Sequence, residues 1–219
     1  MKIIAVRAAK AIWLIPSYFL NPHGFYTWPA ISALKERYKF LITPLDGKMP
    51  PDLGEGIKFG LGAFEGKNGL VQITSFSVHE DGIVAEMRSS TDDGDDFLQD
   101  ALSWFHAEFK TPKPDDLLFK KIYTSELNIV LKQFPKLLNP ALAEFFDAVS
   151  STISTDDSGP APVLSVQLGT DQTKLKNQTT FQIAREVNTP IADNRFYSFA
   201  PVKTSVHIQL LEKLEKIEA

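Results

Sequence analysis

Apolar and polar residues alternate over short stretches separated by turn residues, and this pattern constrains the fold more than any other feature of the chain. Alternation with a period of two places every second side chain on the same face of a β-strand. In IKFGLGAF it puts Ile57, Phe59 and Leu61 on one face. The stretches with such a pattern are residues 57–64, 70–78, 83–89, 162–168, 179–187 and 195–199. Short turns at residues 67–69 and 80–82 predict an antiparallel meander.

Amphipathic helices are predicted after each group of strands. Apolar residues recur at helical spacing in two sets, which are Phe97, Leu98, Ala101, Leu102, Phe105 and Phe109, and Leu210, Leu211, Leu214 and Ile217. Two more helices are predicted over residues 29–38 and from Asn139 onward, where Asn followed by Pro is a typical helix start. Residues 117–131 predict one or two further strands.

These elements predict an α+β fold, in which mainly antiparallel sheet meanders carry amphipathic helices packed on one face. Proline-containing breaks at residues 111–116 and 154–162 subdivide the chain. We therefore expect an N-terminal sheet-helix segment over residues 1–110 and a C-terminal one over residues 117–219, or a single compact domain. Because a meander followed by a helix occurs twice, internal duplication is one hypothesis. Ordinary α+β architecture without duplication is the alternative.

Four aspartates surround a glycine where the first meander meets its helix, and they are Asp92, Asp93, Asp95 and Asp96. Thr91, Asp92 or Asp93 can accept hydrogen bonds from the free N–H groups of a helix start, and the remaining acids favour the positive end of the helix dipole. A calcium loop of the EF-hand type also needs acids at alternate positions and a closing Glu, which this segment lacks. Helix capping is the preferred interpretation. A looser divalent site that uses Asp92 or Asp93 with Asp96 stays open.

Composition argues against several classes of function. The formal net charge is -4, and no run of Lys or Arg offers the basic footprint that nucleic-acid binding requires. The chain has no cysteine, so disulfides and thiolate chemistry are excluded. The histidines lack metal-ligand spacing, and they are His23, His79, His106 and His207. The apolar run at residues 11–20 is too short to span a bilayer, and we interpret it as a buried first element, with an export signal or an interfacial anchor as the alternatives. We therefore expect no membrane association and a cytoplasmic location.

The sequence contains no nucleophile elbow, phosphate loop or dinucleotide fingerprint. We therefore expect no cofactor and favour a noncatalytic interaction protein, a subunit or adaptor that docks a partner protein or its own copy. Its predicted partner-binding residues are Phe25, Tyr26 and Trp28 in an aromatic loop, and Leu210 and Leu214 on the last helix. Packing of the aromatic loop into the core is the alternative.

Arg185 supports a second hypothesis, an enzyme or ligand-binding protein with an anion or divalent-metal pocket between sheet and helices. In TTFQIAREV, strict alternation places Arg185 on the same face as Phe181 and Ile183. A guanidinium on an apolar face needs an acidic partner, a bound anion or an exit to solvent at the sheet edge. Edge exit or an ion pair is preferred over a ligand. In this second hypothesis, Asp92 and Asp96 would bind the divalent ion.

Overall fold

The computed structural model describes residues 1–24, 27–44, 55–67, 69–117, 120–132, 144–145, 148–149, 151–152, 165–169 and 180–216. The strands are β1 (Lys2–Leu14), β2 (Ile57–Gly66), β3 (Gly69–His79), β4 (Gly82–Met87), β5 (Lys120–Val130), β6 (Ser165–Gly169), β7 (Thr180–Arg185) and β8 (Arg195–Ala200). The helices are α1 (Thr27–Tyr38), α2 (Thr91–Phe109), α3 (Pro114–Leu117) and α4 (Thr204–Lys216). The helix predicted after Asn139 falls mainly outside the described residues, and the described residues between 144 and 152 are helical.

The strands form one antiparallel sheet in the order β2-β3-β4-β1-β5-β8-β7-β6. This sheet, together with the helices, confirms the predicted α+β fold class. The first predicted meander corresponds to β2, β3 and β4, in which Phe76 pairs with Phe59 on one side and with Ala85 on the other. Neighbouring strands in the meander follow one another along the chain, as the short turns predict.

The chain divides into two compact units, and each is described by itself below. The N-terminal unit comprises Val6–Ser125 and Val202–Thr204. The C-terminal unit comprises Met1–Ala5, Glu126–Pro201 and Ser205–Ala219. Strands β1 and β5 therefore each contribute residues to both units.

Aromatic side chains fill much of the core of the N-terminal unit. Phe97 of α2 lies edge-on to Tyr38 of α1 and to Phe76 of β3, with ring centroids 5.0 Å and 5.3 Å away. Phe40 stacks on Phe76 at 6.2 Å between centroids. Each such pair contributes about 0.5–1.5 kcal/mol beyond the burial of its area. These contacts hold α1 and α2 against the strands.

Helix α2 begins at the aspartate cluster. Ser90 is the N-cap: its Oγ accepts a hydrogen bond from the Asp93 N–H at 3.0 Å and donates to Asp93 Oδ2 at 2.8 Å. Asp92 and Asp93 occupy the first turn, where the helix dipole favours a carboxylate. The buried Thr91 instead accepts from the N–H of Thr204 at 2.9 Å, and Thr204 Oγ1 accepts from the N–H of Thr91 at 3.1 Å. The first residues of α2 and α4 thus satisfy each other's N–H groups.

The C-terminal unit contains the second meander. Ile183 of β7 pairs with Val166 of β6 and with Ser198 of β8. Ile183 therefore lies on the central strand of this meander, as Phe76 lies on the central strand of the first. Ser198 Oγ lies 2.9 Å from Nε2 of His207 on α4, and both side chains are buried. The hydrogen bond lets a polar pair occupy an interior position between strand and helix.

The chain has two sheet-helix halves, the first from β1 to α2 and the second from β5 to α4. The strand–helix segment that ends each half carries buried residues at the same spacing. A strand ends on a buried residue, a buried threonine opens the helix, and two further buried residues follow on the helix. In the first half these are Met87, Thr91, Gly94 and Leu98, and in the second half they are Ala200, Thr204, His207 and Leu211.

The backbone connections of the two halves match as well. Just after β1, the N–H of Ile15 donates to the carbonyl of Asp81 at 3.1 Å, and just after β5 the N–H of Leu131 donates to the carbonyl of Asn194 at 3.1 Å. Asp81 immediately precedes β4, and Asn194 immediately precedes β8. The shared element order, burial spacing and connections support the hypothesis of internal duplication.

Candidate functional site

A cavity of about 910 Å³ lies in the N-terminal unit, between the strands β2, β3 and β4 and the helices α1 and α2. Protein interiors are normally packed with few voids larger than a water molecule. Ligand pockets occupy about 300–1,000 Å³, so this cavity has room for a ligand of drug or lipid size.

The deep wall of the cavity is apolar. It consists of side chains from the inner faces of the helices and the strands, among them Ile31, Leu34, Phe59, Phe76, Ala101 and Leu102. Each of these residues is buried, and none carries a polar side-chain atom. The same periodicity that predicts the apolar faces of α1 and α2 therefore supplies the lining.

Most polar residues of the described lining lie at the exposed rim of the cavity, and Thr111 is a buried exception. Asn21 and His23 come from the loop between β1 and α1, and Glu108 and Lys110 come from the end of α2. The loop is anchored through Ser17, whose N–H donates to the carbonyl of Glu80 at 2.8 Å. The rim is thus built from described residues of this loop on one side and from a helix end on the other.

The end of α2 has a defined geometry at this rim. Lys110 is the C-cap, with φ 58° and ψ 31°, and its N–H donates to the carbonyl of His106 at 3.0 Å. Its Nζ donates to the carbonyl of Ala107 at 3.0 Å. The His106 ring contacts the carbonyl of Thr111 through Nδ1. The lysine ammonium group therefore offsets the negative end of the helix dipole.

A second cluster in the same unit centres on Asp95, whose side chain is 14% exposed. The indole N–H of Trp13 donates to Oδ1 at 2.8 Å, and the hydroxyl of Tyr123 donates to Oδ2 at 2.8 Å. Lys203 Nζ lies 3.0 Å from Oδ2 and also 2.9 Å from Asp92 Oδ1. Asp95 thus ties the start of α2 to β1, β5 and the residue before α4.

Burial and the neighbouring side chains shift the pKa values of two members of this cluster. Burial raises the pKa of Tyr123 to about 12, and the hydrogen bond to Asp95 adds to the shift. For Lys203, burial favours the neutral amine, but the hydrogen bonds to Asp92 and Asp95 outweigh it and raise the pKa of the ammonium group. The donors around Asp95 satisfy its carboxylate, so we interpret the cluster as an anchor for α2.

The aspartates proposed for a divalent ion are paired with lysines. Asp92 contacts Lys203, and Asp96 Oδ1 accepts from Lys67 Nζ at 2.7 Å. Across the part of the chain that the structure describes, no group of three or more His, Cys, Asp or Glu residues is placed to hold a metal ion.

The predicted partner-binding residues fall in different places. Phe25 and Tyr26 lie outside the described residues, while Trp28 is partly buried against the core of the N-terminal unit. Leu210 is 40% exposed and Leu214 is half-buried, both on α4. Their role in partner binding stays a prediction.

Arg185 lies near the end of β7. Its guanidinium donates to the carbonyl of Pro190 and lies 5.8 Å from the centroid of the Phe196 ring. Glu186, the next residue, instead pairs with Arg195, whose Nε lies 2.8 Å from Glu186 Oε2. Arg185 thus has a backbone and an aromatic contact, and its role in anion binding stays a prediction.

Sequence reasoning identified neither the cavity nor the Asp95 cluster. The apolar residues that line the cavity carry the ordinary signal of core positions. Trp13 and Tyr123 are far from Asp95 in sequence, so no local pattern connects them.

Comparison of the chain with protein families, with curated proteins and with solved structures finds no match. Within the described ranges, none of the helices combines the length and the apolar character needed to cross a membrane.

Proposed function

We propose that this chain is a noncatalytic binding protein that holds an apolar ligand in the cavity of its N-terminal unit. One observation carries the proposal, which is the cavity of about 910 Å³ with a deep wall of buried apolar side chains. Concave, mainly apolar sites with a few polar groups at one end are typical of small-molecule binding. This site differs from the predicted anion or divalent-metal pocket, because Arg185 belongs to the C-terminal unit and does not line the cavity.

Burial of apolar surface supplies the affinity. Each square ångström of apolar surface removed from water contributes about 25 cal/mol, so a ligand that buries about 350 Å² gains about 9 kcal/mol before the costs of association. Loss of translational and rotational freedom costs at least about 4 kcal/mol, so about 5 kcal/mol or less remains, and we expect a Kd of about 0.2 mM or weaker.

Filling the cavity from within tests the proposal. Ala101 lies in the deep wall, so Ala101→Phe places an aromatic ring where the ligand would bind. Ala107 is on the same helix but exposed and outside the lining, so Ala107→Phe is the matched control. Binding is measured by the fluorescence of the neutral probe N-phenyl-1-naphthylamine, and far-UV circular dichroism confirms that each variant is folded.

We expect saturable probe binding to the parent chain and to Ala107→Phe, and a loss of at least about tenfold in affinity for Ala101→Phe, since the ring competes for the same volume. Ala30→Phe, which fills the cavity from α1, provides a second blocked variant if Ala101→Phe fails to fold. No saturable binding to the parent, or equal binding to both blocked variants, would refute the proposal.

Self-association through α4 is a second candidate function, and it retains the prediction made for Leu210. Val206 and Leu210 lie one turn apart on this helix and are 39% and 40% exposed. If they form a contact between copies, sedimentation velocity will show a concentration-dependent dimer that Leu210→Glu abolishes. Gln209→Glu adds the same charge at an exposed neighbouring position and should leave the dimer intact. A monomer at every concentration would exclude this candidate.

A further inference from the structure

The cavity restricts the position of any charge on its ligand. Its deep wall is formed by aliphatic and aromatic side chains, including Ile31, Phe59, Phe76 and Leu102. An ionised group placed against this wall would lose its hydration without gaining a partner. The polar end of a ligand must therefore lie at the rim, while its apolar body occupies the interior.

The rim does not offer an excess of positive charge. Helix α2 ends there, and a helix C-terminus carries the equivalent of about half a negative charge. Glu108 adds a full negative charge next to it, and the Lys110 ammonium group is already bound to the carbonyl of Ala107. The charges of these groups nearly cancel on the helix side of the rim, so a carboxylate or phosphate of a ligand would gain little electrostatic stabilisation there.

The rim does offer hydrogen-bonding groups to an uncharged ligand. Ser17 and Thr27, which carry hydroxyls, and Asn21, which carries an amide, are among the residues that line the cavity. Hydroxyl and amide groups both donate and accept, so they suit a ligand hydroxyl, which also does both.

From this distribution we infer that the cavity selects an apolar molecule with an uncharged polar end, of the class of long-chain alcohols, over the fatty acid of the same length. The inference rests on the proposed function, because it names the ligand class of the same cavity. Apolar burial supplies the affinity for both ligands, and the rim discriminates between their polar ends.

Displacement of N-phenyl-1-naphthylamine by 1-decanol and by decanoate at pH 8 measures this preference directly. At this pH the acid is ionised, since its carboxyl group titrates far below. We expect 1-decanol to displace the probe at a concentration at least about tenfold lower than decanoate, because the carboxylate loses hydration at a rim that offers it no excess of positive charge.

A charge change at the rim separates this effect from the general preference of apolar sites for uncharged molecules. Glu108→Lys replaces the acid at the opening and should reduce the decanol-to-decanoate ratio by about threefold or more. Glu36→Lys makes the same change at an exposed position of α1 outside the lining and should leave the ratio unchanged.

The outcomes distinguish the two proposals. Equal or better displacement by decanoate, or a ratio that does not respond to Glu108→Lys, overturns the inference about ligand class. Probe binding that neither ligand displaces overturns it as well, and leaves the proposed cavity function standing. Absence of probe binding overturns the proposed function itself.

Discussion

Removing the charge of Asp95 should destabilise the N-terminal unit far more than removing the charge of its neighbour Asp96. Asp95 is largely buried and accepts from Trp13, Tyr123 and Lys203. Hydrogen bonds to a charged group contribute about 1.5–3 kcal/mol each, and Asn keeps one of the two acceptor oxygens, so we expect Asp95→Asn to cost about 2–4 kcal/mol.

Asp96 provides the control because it lies one residue further along the same helix turn. Its partner Lys67 has a side chain that is 79% exposed, and such surface pairs contribute about 0–1 kcal/mol. The two aspartates are also at nearly the same distance from the helix start, so the contribution of the helix dipole is similar in both variants. Asp96→Asn should therefore cost less than about 1 kcal/mol.

Urea unfolding followed by tryptophan fluorescence is a suitable assay. The three tryptophans of the chain, Trp13, Trp28 and Trp104, all belong to the N-terminal unit, so their emission reports on that unit. Linear extrapolation gives the free energy of unfolding of each variant. If Asp95→Asn lowers the free energy of unfolding by no more than Asp96→Asn does, our interpretation of Asp95 as an anchor of α2 is refuted.

Three further predictions concern stability. Urea titration should show that Thr91→Val and Thr204→Val each cost about 1–2 kcal/mol, whereas Thr91→Ser costs less because it keeps the accepting oxygen. A Cβ on Gly82 would lie 2.6 Å from a backbone oxygen of β1, so Gly82→Ala should lower the free energy of unfolding by about 1–3 kcal/mol. A Cβ on Gly169 would have no atom within 4 Å, so Gly169→Ala should lower it by less than about 0.5 kcal/mol. The pKa of Tyr123 is raised to about 12 in the folded state, so the stability that its hydroxyl contributes is present below about pH 10 and is lost as the pH rises towards 12. Tyr123→Phe should therefore flatten the dependence of the free energy of unfolding on pH between about pH 10 and 12. An unchanged slope of that dependence would contradict this prediction.

The local elements of the fold were predictable because their signals are local. Alternation and turn residues placed strands over residues 57–64, 70–78 and 83–89, close to the observed β2, β3 and β4. Residues 39–43, which follow α1, form only an isolated bridge, between Ile42 and Gly60. Here Lys39 adopts a positive φ of 54°, which redirects the chain after α1.

The candidate site was not predictable because it depends on distances between elements. Ala101 and Leu102 have the same apolar periodicity whether α2 packs directly on the strands or leaves a cavity above them. The aspartate cluster was correctly assigned to a helix start, but the N-cap is Ser90 and not the predicted Thr91, Asp92 or Asp93. The role of Asp95 depends on Trp13 and Tyr123, which approach it only in the folded chain. The observations that support the hypothesis of internal duplication likewise lie in strand pairing and burial rather than in residue identity.

The passage of β1 from one unit into the other has a consequence for the order of folding during translation. Residues 1–5 leave the ribosome before the N-terminal unit, yet the rest of their own unit begins only at Glu126. The N-terminal unit also includes Val202–Thr204, so its last residues are made after most of the C-terminal unit. Contacts between segments so distant in sequence are slow to form, because a long loop must close first. We therefore expect the nascent chain to complete neither unit until residues near 204 have been synthesised, and to need protection of its early strands until then.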